Sequence, residues 1–321
     1  MPTAPPPVRP ISLADICTAR DRIRGVITRT PLIRLLHGIE GAPEIWLKLE
    51  NLQPINAFKL RGAANAVALL TPEERNKGVW TISAGNAGQG VAYAAREAGV
   101  PCTVLVIDKA PETKIERMRN LGAHLVKAPF DACWNAMEDR AFPGIEGTFV
   151  HPFDDHNFIA GNATCGVEIL DDLPQVKTVI AAIGGGGLVT GIGSAMRALA
   201  PNVRVFGAEP ETAAPGSVSF AAGGPRVFEK WEASFVDGAG GKSIFPRMWE
   251  RMKGTVDGSI VVTLDEVKQA MRLVASKMRV IVEGAGALGV AAALKEKDGP
   301  VVAVVSGGNI DLKKFCEIVA A

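Results

Sequence analysis

One lysine of this chain stands in a setting that suits covalent chemistry. The stretch Asn56-Ala57-Phe58-Lys59-Leu60-Arg61-Gly62 places Lys59 after an aromatic residue and before a run of small residues. We expect Lys59 to begin a helix with its aliphatic stem against apolar surface, where the loss of water disfavours the ammonium form. Such a lysine can be a neutral amine near neutral pH and can form a Schiff base. This segment alone also fits a surface lysine at a helix start.

Three glycine-rich segments each follow an apolar, strand-like run and precede a helix-like run. They are Ser83-Ala84-Gly85-Asn86-Ala87-Gly88-Gln89-Gly90, Gly184-Gly185-Gly186-Gly187-Leu188 and Ser306-Gly307-Gly308-Asn309. In an open parallel sheet, ligands bind in the crevice at the carboxyl ends of the strands. Three such loops can therefore converge with Lys59 on one crevice.

Runs rich in valine and isoleucine recur along the chain and alternate with helix-like segments. The runs are nearly continuous rather than alternating, which is typical of strands buried on both faces. They span residues 103–107, 124–127, 178–183, 203–208 and 301–305, and the helix-like segments include 90–98, 112–121, 189–199 and 264–277. The alternation predicts an α/β fold with parallel sheets and right-handed crossovers.

Composition argues against several classes of protein. The 35 basic residues are balanced by 34 acidic ones without a long block of either sign, which argues against a nucleic-acid groove or a basic membrane anchor. No apolar run is long enough to span a bilayer, and the proline-rich residues 1–10 predict a loose arm rather than a signal peptide. The five scattered cysteines and four histidines form no zinc-type spacing. These features favour a cytoplasmic protein with reduced thiols.

Taken together, the motifs resemble those of the fold-type II pyridoxal-phosphate enzymes, specifically the serine/threonine dehydratase family, which includes phenylserine dehydratases. The matching segments occur in the family's order: Thr30-Pro31-Leu32, Glu50-Asn51-Leu52-Gln53-Pro54, Phe58-Lys59-Leu60-Arg61-Gly62 and the three glycine-rich loops. The resemblance implies two parallel-sheet β/α domains, the smaller inserted in the larger. The large cofactor-binding domain would comprise residues 1–71 and 150–321. A small mobile domain at 72–149 would close over the substrate.

The resemblance also implies roles for residues around the cofactor, pyridoxal 5'-phosphate. Lys59 would bind it covalently and then remove the α-proton of the substrate. Phe58 would pack beside it, Asn86 would hydrogen-bond its ring hydroxyl, and Ser306 would face its pyridine nitrogen. A hydroxyl at that nitrogen makes the ring a weaker electron sink than a carboxylate would, which favours elimination over transamination. The phosphate would be bound by successive backbone N–H groups at a helix start. The residues of that loop are Gly184, Gly185, Gly186, Gly187 and Leu188.

The residues expected around the substrate are Ser83, Ala84, Gly85 and Ala87. Ser83, with N–H groups of its loop, would hold the substrate carboxylate. Ala84 stands where racemising relatives carry serine, and it has no side-chain proton to give, which favours a dehydratase. Ala87 replaces a histidine of the family pattern and leaves space. That space hints at a β-substituent larger than the methyl group of threonine, with neutral drift as the alternative.

A metal ion is not expected. Relatives with a divalent-cation site use a glutamate just after a strand and an acid several residues later. Glu209 fits the first position, but the following residues up to Gly216 offer no acid at the later position.

We expect a pyridoxal-phosphate dependent lyase of amino-acid catabolism, a dehydratase or ammonia-lyase. It would convert a β-hydroxy-α-amino acid of the threonine, serine or phenylserine type to a 2-keto acid and ammonia by α,β-elimination. Its partner would be the small amino-acid substrate; neither nucleic acid nor a membrane is expected, and the enzyme would be a monomer or homodimer. Because the chain ends soon after Ser306, a C-terminal regulatory domain and feedback inhibition by an amino acid are not expected.

Two other functions fit part of the pattern. A nicotinamide-dependent oxidoreductase could use the loop at 184–187, although the third glycine of the dinucleotide fingerprint is missing there. A non-catalytic ligand-binding relative of the same fold would keep the loops without turnover.

Overall fold

Strands and helices alternate along most of the chain, as predicted. The computed structural model describes residues 6–110 and 112–320, so half of the predicted N-terminal arm, residues 1–5, lies outside the described residues. The strands are β1 (Leu32–Arg34), β2 (Ile45–Lys48), β3 (Val79–Ile82), β4 (Cys102–Ile107), β5 (His124–Ala128), β6 (Thr148–Phe149), β7 (Thr178–Ala182), β8 (Arg204–Pro210), β9 (Gly258–Val262) and β10 (Val301–Val304). The helices are α1 (Leu13–Ile23), α2 (Lys59–Ala68), α3 (Pro72–Lys77), α4 (Asn86–Ala98), α5 (Glu112–Asn120), α6 (Phe130–Asp139), α7 (His156–Asp172), α8 (Gly187–Leu199), α9 (Pro215–Ala222), α10 (Pro246–Met252), α11 (Leu264–Met278), α12 (Gly284–Ala293) and α13 (Leu312–Ala320).

The strands form two sheets. The larger has the order β1-β2-β10-β7-β8-β9 and the smaller the order β5-β4-β3-β6. Neighbouring strands run parallel in both sheets except β1 and β2, which are antiparallel. All strands of the smaller sheet lie within residues 79–149, here called the inserted segment, and the larger sheet uses chain on both sides of it. The predicted α/β class is thereby confirmed, while the domain boundaries at 72 and 149 and the mobility of the smaller unit stay predictions.

The central strands of the larger sheet are buried on both faces. In β7, Val179 and Ala181 belong to one hydrophobic cluster, and Ile180 and Ala182 belong to another. Helices α7 and α8 contribute to the first cluster and α11 and α12 to the second. Since each face has its own apolar layer, these strands read as continuous apolar runs in the sequence.

Two helices begin earlier than the sequence suggested. Helix α4 begins at Asn86 rather than residue 90, and α8 begins at Gly187 rather than residue 189. Glycine has a low helix propensity, so glycine-rich first turns do not resemble helix. The consequence is functional, because the first N–H groups of both helices belong to the glycine-rich loops.

A fully buried ionic network lies directly behind the start of α2. The Arg61 guanidinium donates to both oxygens of Glu50 and both oxygens of Glu168 at 2.7–2.8 Å, and to the Thr164 hydroxyl at 3.0 Å. These five bonds use all five N–H groups of the arginine. Lys48 on β2 also donates to Glu168, at 2.6 Å. The network therefore joins α2, α7, β2 and the turn after β2.

The charges of this network compensate each other. Burial alone would lower the pKa of Arg61, but the charge of Glu50 and the hydrogen bonds to Glu50 and Glu168 together outweigh that effect and raise it. Burial alone would raise the pKa of Glu50, yet the charges of Arg61 and Lys48 and the hydrogen bonds from Arg61 and Thr30 together hold it below its ordinary value. Two cations, Lys48 and Arg61, face two anions, so removing one member leaves an uncompensated buried charge.

We predict that Arg61→Met lowers the free energy of unfolding by roughly 3–5 kcal/mol, because Glu50 and Glu168 lose their shared partner. Urea unfolding followed by circular dichroism measures the change. The matched control is Arg96→Met, since Arg96 pairs with Glu97 at an exposed site, with side chains 47% and 43% accessible. An exposed pair contributes about 0–1 kcal/mol. Equal losses in the two variants would contradict the central role of the network.

Candidate active site

Lys59 is the first residue of α2, as the sequence predicted. Its Nζ donates to the Pro152 carbonyl at 2.5 Å and lies 5.2 Å and 5.5 Å from the ring centroids of Phe58 and Phe158. Burial among these groups removes water from the ammonium form and lowers the pKa of Lys59 from 10.5 to about 8. A neutral, nucleophilic amine is therefore accessible near neutral pH.

The loop that carries Lys59 is bound to the loop that follows β10. The Phe58 N–H donates to the Ser306 carbonyl at 3.0 Å, and Ala57 forms an antiparallel bridge with Gly307. Asn56 adopts the left-handed conformation with φ of 57°, which asparagine tolerates better than most residues, and its carbonyl accepts from Gly308. The backbone thus fixes the distance between the two loops.

Three predicted loops converge on a cavity of about 220 Å³. Every residue predicted to bind the cofactor lines it: Phe58, Lys59, Asn86, Gly184, Gly185, Gly186, Gly187, Leu188 and Ser306. Of the residues predicted to contact substrate, Ser83 and Ala87 line this cavity, whereas Ala84 and Gly85 line an adjoining cleft of about 880 Å³. The cleft shares the lining residues Ser83, Asn86 and Glu283 with the cavity. The roles of the individual residues stay predictions.

The tetraglycine loop lines the cavity where α8 begins. Gly186 has a φ of 85° and caps α8, a conformation that favours glycine. A Cβ on Gly185 would lie 2.1 Å from Cγ of Phe153, so a side chain there would displace the ring. The first N–H groups of α8 have no partner within the helix and carry its positive end. These donors, next to the Lys59 amine, fit a phosphorylated aldehyde such as pyridoxal phosphate.

Ser306 and Asn86 offer polar groups on other walls of the cavity. Ser306 is buried, and its hydroxyl donates to the Ala285 carbonyl at 3.4 Å. Such a long bond leaves the hydroxyl able to rotate towards a bound ring nitrogen. Asn86 donates through Nδ2 to Glu283 at 2.8 Å.

Several cavity residues were not among the predicted site residues. Glu283 occupies the N-cap position of α12 without a side-chain capping bond and is 5% exposed, and a Cβ on Gly307 would lie 2.2 Å from its Oε1. An acid ahead of the small-residue run 284–293 is the only signal for it in the sequence. Pro152 contributes a backbone carbonyl, which leaves no mark in the residue type. Phe153 lines the cavity and packs against the tetraglycine loop.

Glu209, the residue that fits the first metal-ligand position, accepts three hydrogen bonds from protein groups. Its carboxylate accepts from the N–H groups of Gly216 and Ser217 at 2.7 and 2.8 Å, and from the Ser259 hydroxyl at 2.6 Å. Burial raises its pKa despite these bonds. Across residues 6–110 and 112–320, no three His, Cys, Asp or Glu side chains are grouped as a metal site. The expected absence of a metal stays a prediction.

The same described ranges contain no helix with both the length and the apolar character needed to cross a bilayer.

Comparison with known proteins agrees with this geometry. The family described as pyridoxal-phosphate dependent enzymes matches residues 23–307. An L-threonine ammonia-lyase of Thermotoga maritima is 39% identical over 316 residues, covering 96% of this chain and 78% of the relative. The catabolic L-threonine dehydratase TdcB of Staphylococcus aureus is 36% identical over 320 residues, covering 96% and 92%. The chain belongs to the pyridoxal-phosphate dependent enzyme family.

The similarity extends to the whole fold. The crystal structure of serine racemase from Dictyostelium discoideum has a TM-score of 0.84 and 34% sequence identity, covering 94% of this chain and 99% of that one. The predicted fold type, enzyme class and cofactor are therefore confirmed. The alternative of a nicotinamide-dependent oxidoreductase is not supported, because the family that matches residues 23–307 consists of pyridoxal-phosphate dependent enzymes.

We predict that the amine of Lys59 reacts with an acylating reagent in cofactor-free protein with a midpoint near pH 8. Since burial favours the neutral, reactive form, reactivity should rise as pH increases through about 8 rather than through 10.5. Peptide mapping by mass spectrometry measures the extent of modification at each pH. The exposed Lys77 in the same digest is the control for the reagent's own pH dependence. A midpoint at the value of a free lysine would contradict the inferred desolvation.

Proposed function

We propose that this enzyme is an ammonia-lyase that converts a β-hydroxy-α-amino acid to a 2-keto acid and ammonia. The observation that carries the proposal is the position of Lys59, a half-buried amine beside two phenyl rings, in a cavity that the first residues of α8 also line. Loss of water around the amine lowers the pKa of Lys59 to about 8. The relatives named L-threonine ammonia-lyase and L-threonine dehydratase support the same reaction class. When bound, the cofactor supplies the electron sink that makes the substrate's α-hydrogen acidic.

The chain's own residues would perform positioning and proton transfer. In its neutral form, Lys59 Nζ accepts the α-proton, and as an ammonium it can return a proton. The Ser83 hydroxyl accepts from the Gly85 N–H at 3.0 Å, so its own hydrogen can be donated to the substrate carboxylate. The substrate loses the α-proton and the β-hydroxyl, which together make one water. Hydrolysis of the resulting enamine takes up one water and releases ammonia.

Elimination rather than racemisation is favoured by Ala84. Racemisation requires a second proton donor on the opposite side of the α-carbon from the lysine. Ala84 lines the adjoining cleft, and its methyl group has no proton that it could donate. We therefore expect little inversion of a single enantiomer, even though a serine racemase shares the fold.

The preferred substrate is proposed to be of the phenylserine type. Ala87 lies in the first turn of α4, is 5% exposed and lines the cavity. A side chain of one carbon at this position leaves room that a histidine would fill. The adjoining cleft of about 880 Å³ provides further space for a large β-substituent.

The proposed function is tested with a panel of β-hydroxy amino acids assayed for 2-keto acid and for the opposite enantiomer. Lys59→Ala should abolish turnover and the visible absorption of the bound cofactor, because both the covalent anchor and the base are lost. Lys77→Ala, which changes an exposed lysine, is the matched control. Borohydride reduction of the wild type followed by peptide mapping should label Lys59. A label on another lysine, or turnover by Lys59→Ala, would refute the assignment.

We predict that Ala87→His selectively lowers kcat/KM for a bulky substrate. Crowding a packed site costs about 1–3 kcal/mol, so kcat/KM for phenylserine should fall roughly tenfold or more relative to that for threonine. Steady-state kinetics on both substrates measure the ratio, and threonine serves as the internal control for damage to the loop. Equal losses of kcat/KM on both substrates, or a wild type that strongly prefers serine, would contradict the proposal that Ala87 makes room for a large β-substituent.

A further inference from the structure

A chain of hydrogen bonds crosses the cleft beside the cavity. Arg117 on α5, in the inserted segment, donates through Nη1 to Oδ1 of Asn309 at 2.5 Å. Nδ2 of Asn309 donates to Oδ1 of Asn86 at 2.8 Å, and Nδ2 of Asn86 donates to Oε1 of Glu283 at 2.8 Å. Asn309 follows β10, Asn86 begins α4 and Glu283 occupies the N-cap position of α12. This relay, Arg117–Asn309–Asn86–Glu283, therefore alternates between the inserted segment, which carries Arg117 and Asn86, and the rest of the chain, which carries Asn309 and Glu283.

The two ends of the relay determine its direction. A guanidinium only donates hydrogen bonds, and a carboxylate oxygen accepts them. Nδ2 of Asn309 also donates to the Ile55 carbonyl at 2.8 Å. Rotating the Asn309 amide by half a turn would place its oxygen next to two other oxygens, the Ile55 carbonyl and Oδ1 of Asn86. It would also place its NH2 group next to the guanidinium of Arg117, where two donors would face each other. One orientation of each amide therefore satisfies all of these contacts.

This orientation leaves Asn86 with a donor for a ligand. Its Oδ1 is occupied by Asn309, and one hydrogen of its Nδ2 by Glu283. The second hydrogen of Nδ2 is available to an oxygen atom in the cavity that Asn86 lines. Loss of the bond from Asn309 would leave Oδ1 of Asn86 without its donor, so that only Glu283 would orient the amide towards the ligand.

We propose that Arg117 is a positioning residue, which acts through Asn309 on the Asn86 amide and so couples the contact between α5 and the loop after β10 to cofactor binding. The proposal rests on the proposed function, since it takes the ligand of Asn86 to be an oxygen of pyridoxal phosphate. Arg117 also lines the adjoining cleft, where its competing role is a direct contact with the substrate.

The test compares Arg117→Met with Arg119→Met, which changes an exposed arginine on the same helix that binds Glu112 at 3.1 Å. Cofactor-free protein is titrated with pyridoxal phosphate in the absence of substrate, and kcat and KM are measured separately. We expect Arg117→Met to bind the cofactor about tenfold more weakly, the loss typical of one charge-assisted hydrogen bond. Arg119→Met should match the wild type. Arg117→Lys, which keeps a donor, should recover part of the affinity.

A double-mutant cycle distinguishes a relay from an independent contact. In an Asn309→Ala background, Arg117→Met should cause no further loss of cofactor affinity, because the connecting amide is already gone. Additive losses would overturn the relay, as would equal affinities for Arg117→Met and Arg119→Met. A higher KM with unchanged cofactor affinity would identify Arg117 as a substrate contact and overturn the positioning role. Failure of the wild type to bind pyridoxal phosphate would instead refute the proposed function.

Discussion

The bonding of one arginine to two carboxylates is the constraint on which the candidate site depends. Arg61 lies two residues after Lys59, and its five N–H groups are all used in the buried network with Glu50, Glu168 and Thr164. The side chains of these residues are removed from water, so the network is stable only when every charge is compensated. Its geometry therefore dictates where the first turn of α2 begins, and with it the position of the reactive amine.

This arrangement separates charge compensation from reactivity. Arg61 and Lys48 have carboxylate partners, whereas the amine of Lys59 donates to a carbonyl and lies beside two phenyl rings. Burial without a compensating anion lowers the pKa of Lys59 to about 8. Two basic residues of one helix thus have opposite electrostatic environments, and only the one at the cavity can exchange a proton near neutral pH.

The remaining walls of the cavity come from strand ends. β7 and β10 are neighbours in the larger sheet, so the tetraglycine loop and the loop at Ser306 leave the same edge. β3 belongs to the smaller sheet, and its following loop reaches the cavity from the other side. Asn86 and Asn309 meet where the two sheets approach each other. The site is therefore sensitive to how the inserted segment sits on the larger sheet, which connects cofactor binding to the relay from Arg117.

The sequence by itself determined the α/β class, the lysine at a helix start and the three glycine-rich loops. These are local features, since continuous apolar runs and glycine clusters depend on neighbouring residues only. The family resemblance added the cofactor and the residues that line the cavity. Local signals misjudged the first turns of α4 and α8, because glycine lowers helix propensity where tertiary contacts impose a helix.

Only the tertiary structure decided which distant side chains meet. Arg61 and Glu168 are 107 residues apart, Asn86 and Glu283 are 197 apart, and Arg117 and Asn309 are 192 apart. No local pattern links the members of such pairs, and each residue on its own resembles an ordinary surface or capping residue. The pairing of these residues is determined by the packing of α2 against α7 and by the position of the inserted segment next to the larger sheet. Burial then turns these contacts into strong constraints, because a charged or amide group without water must find its partner within the fold.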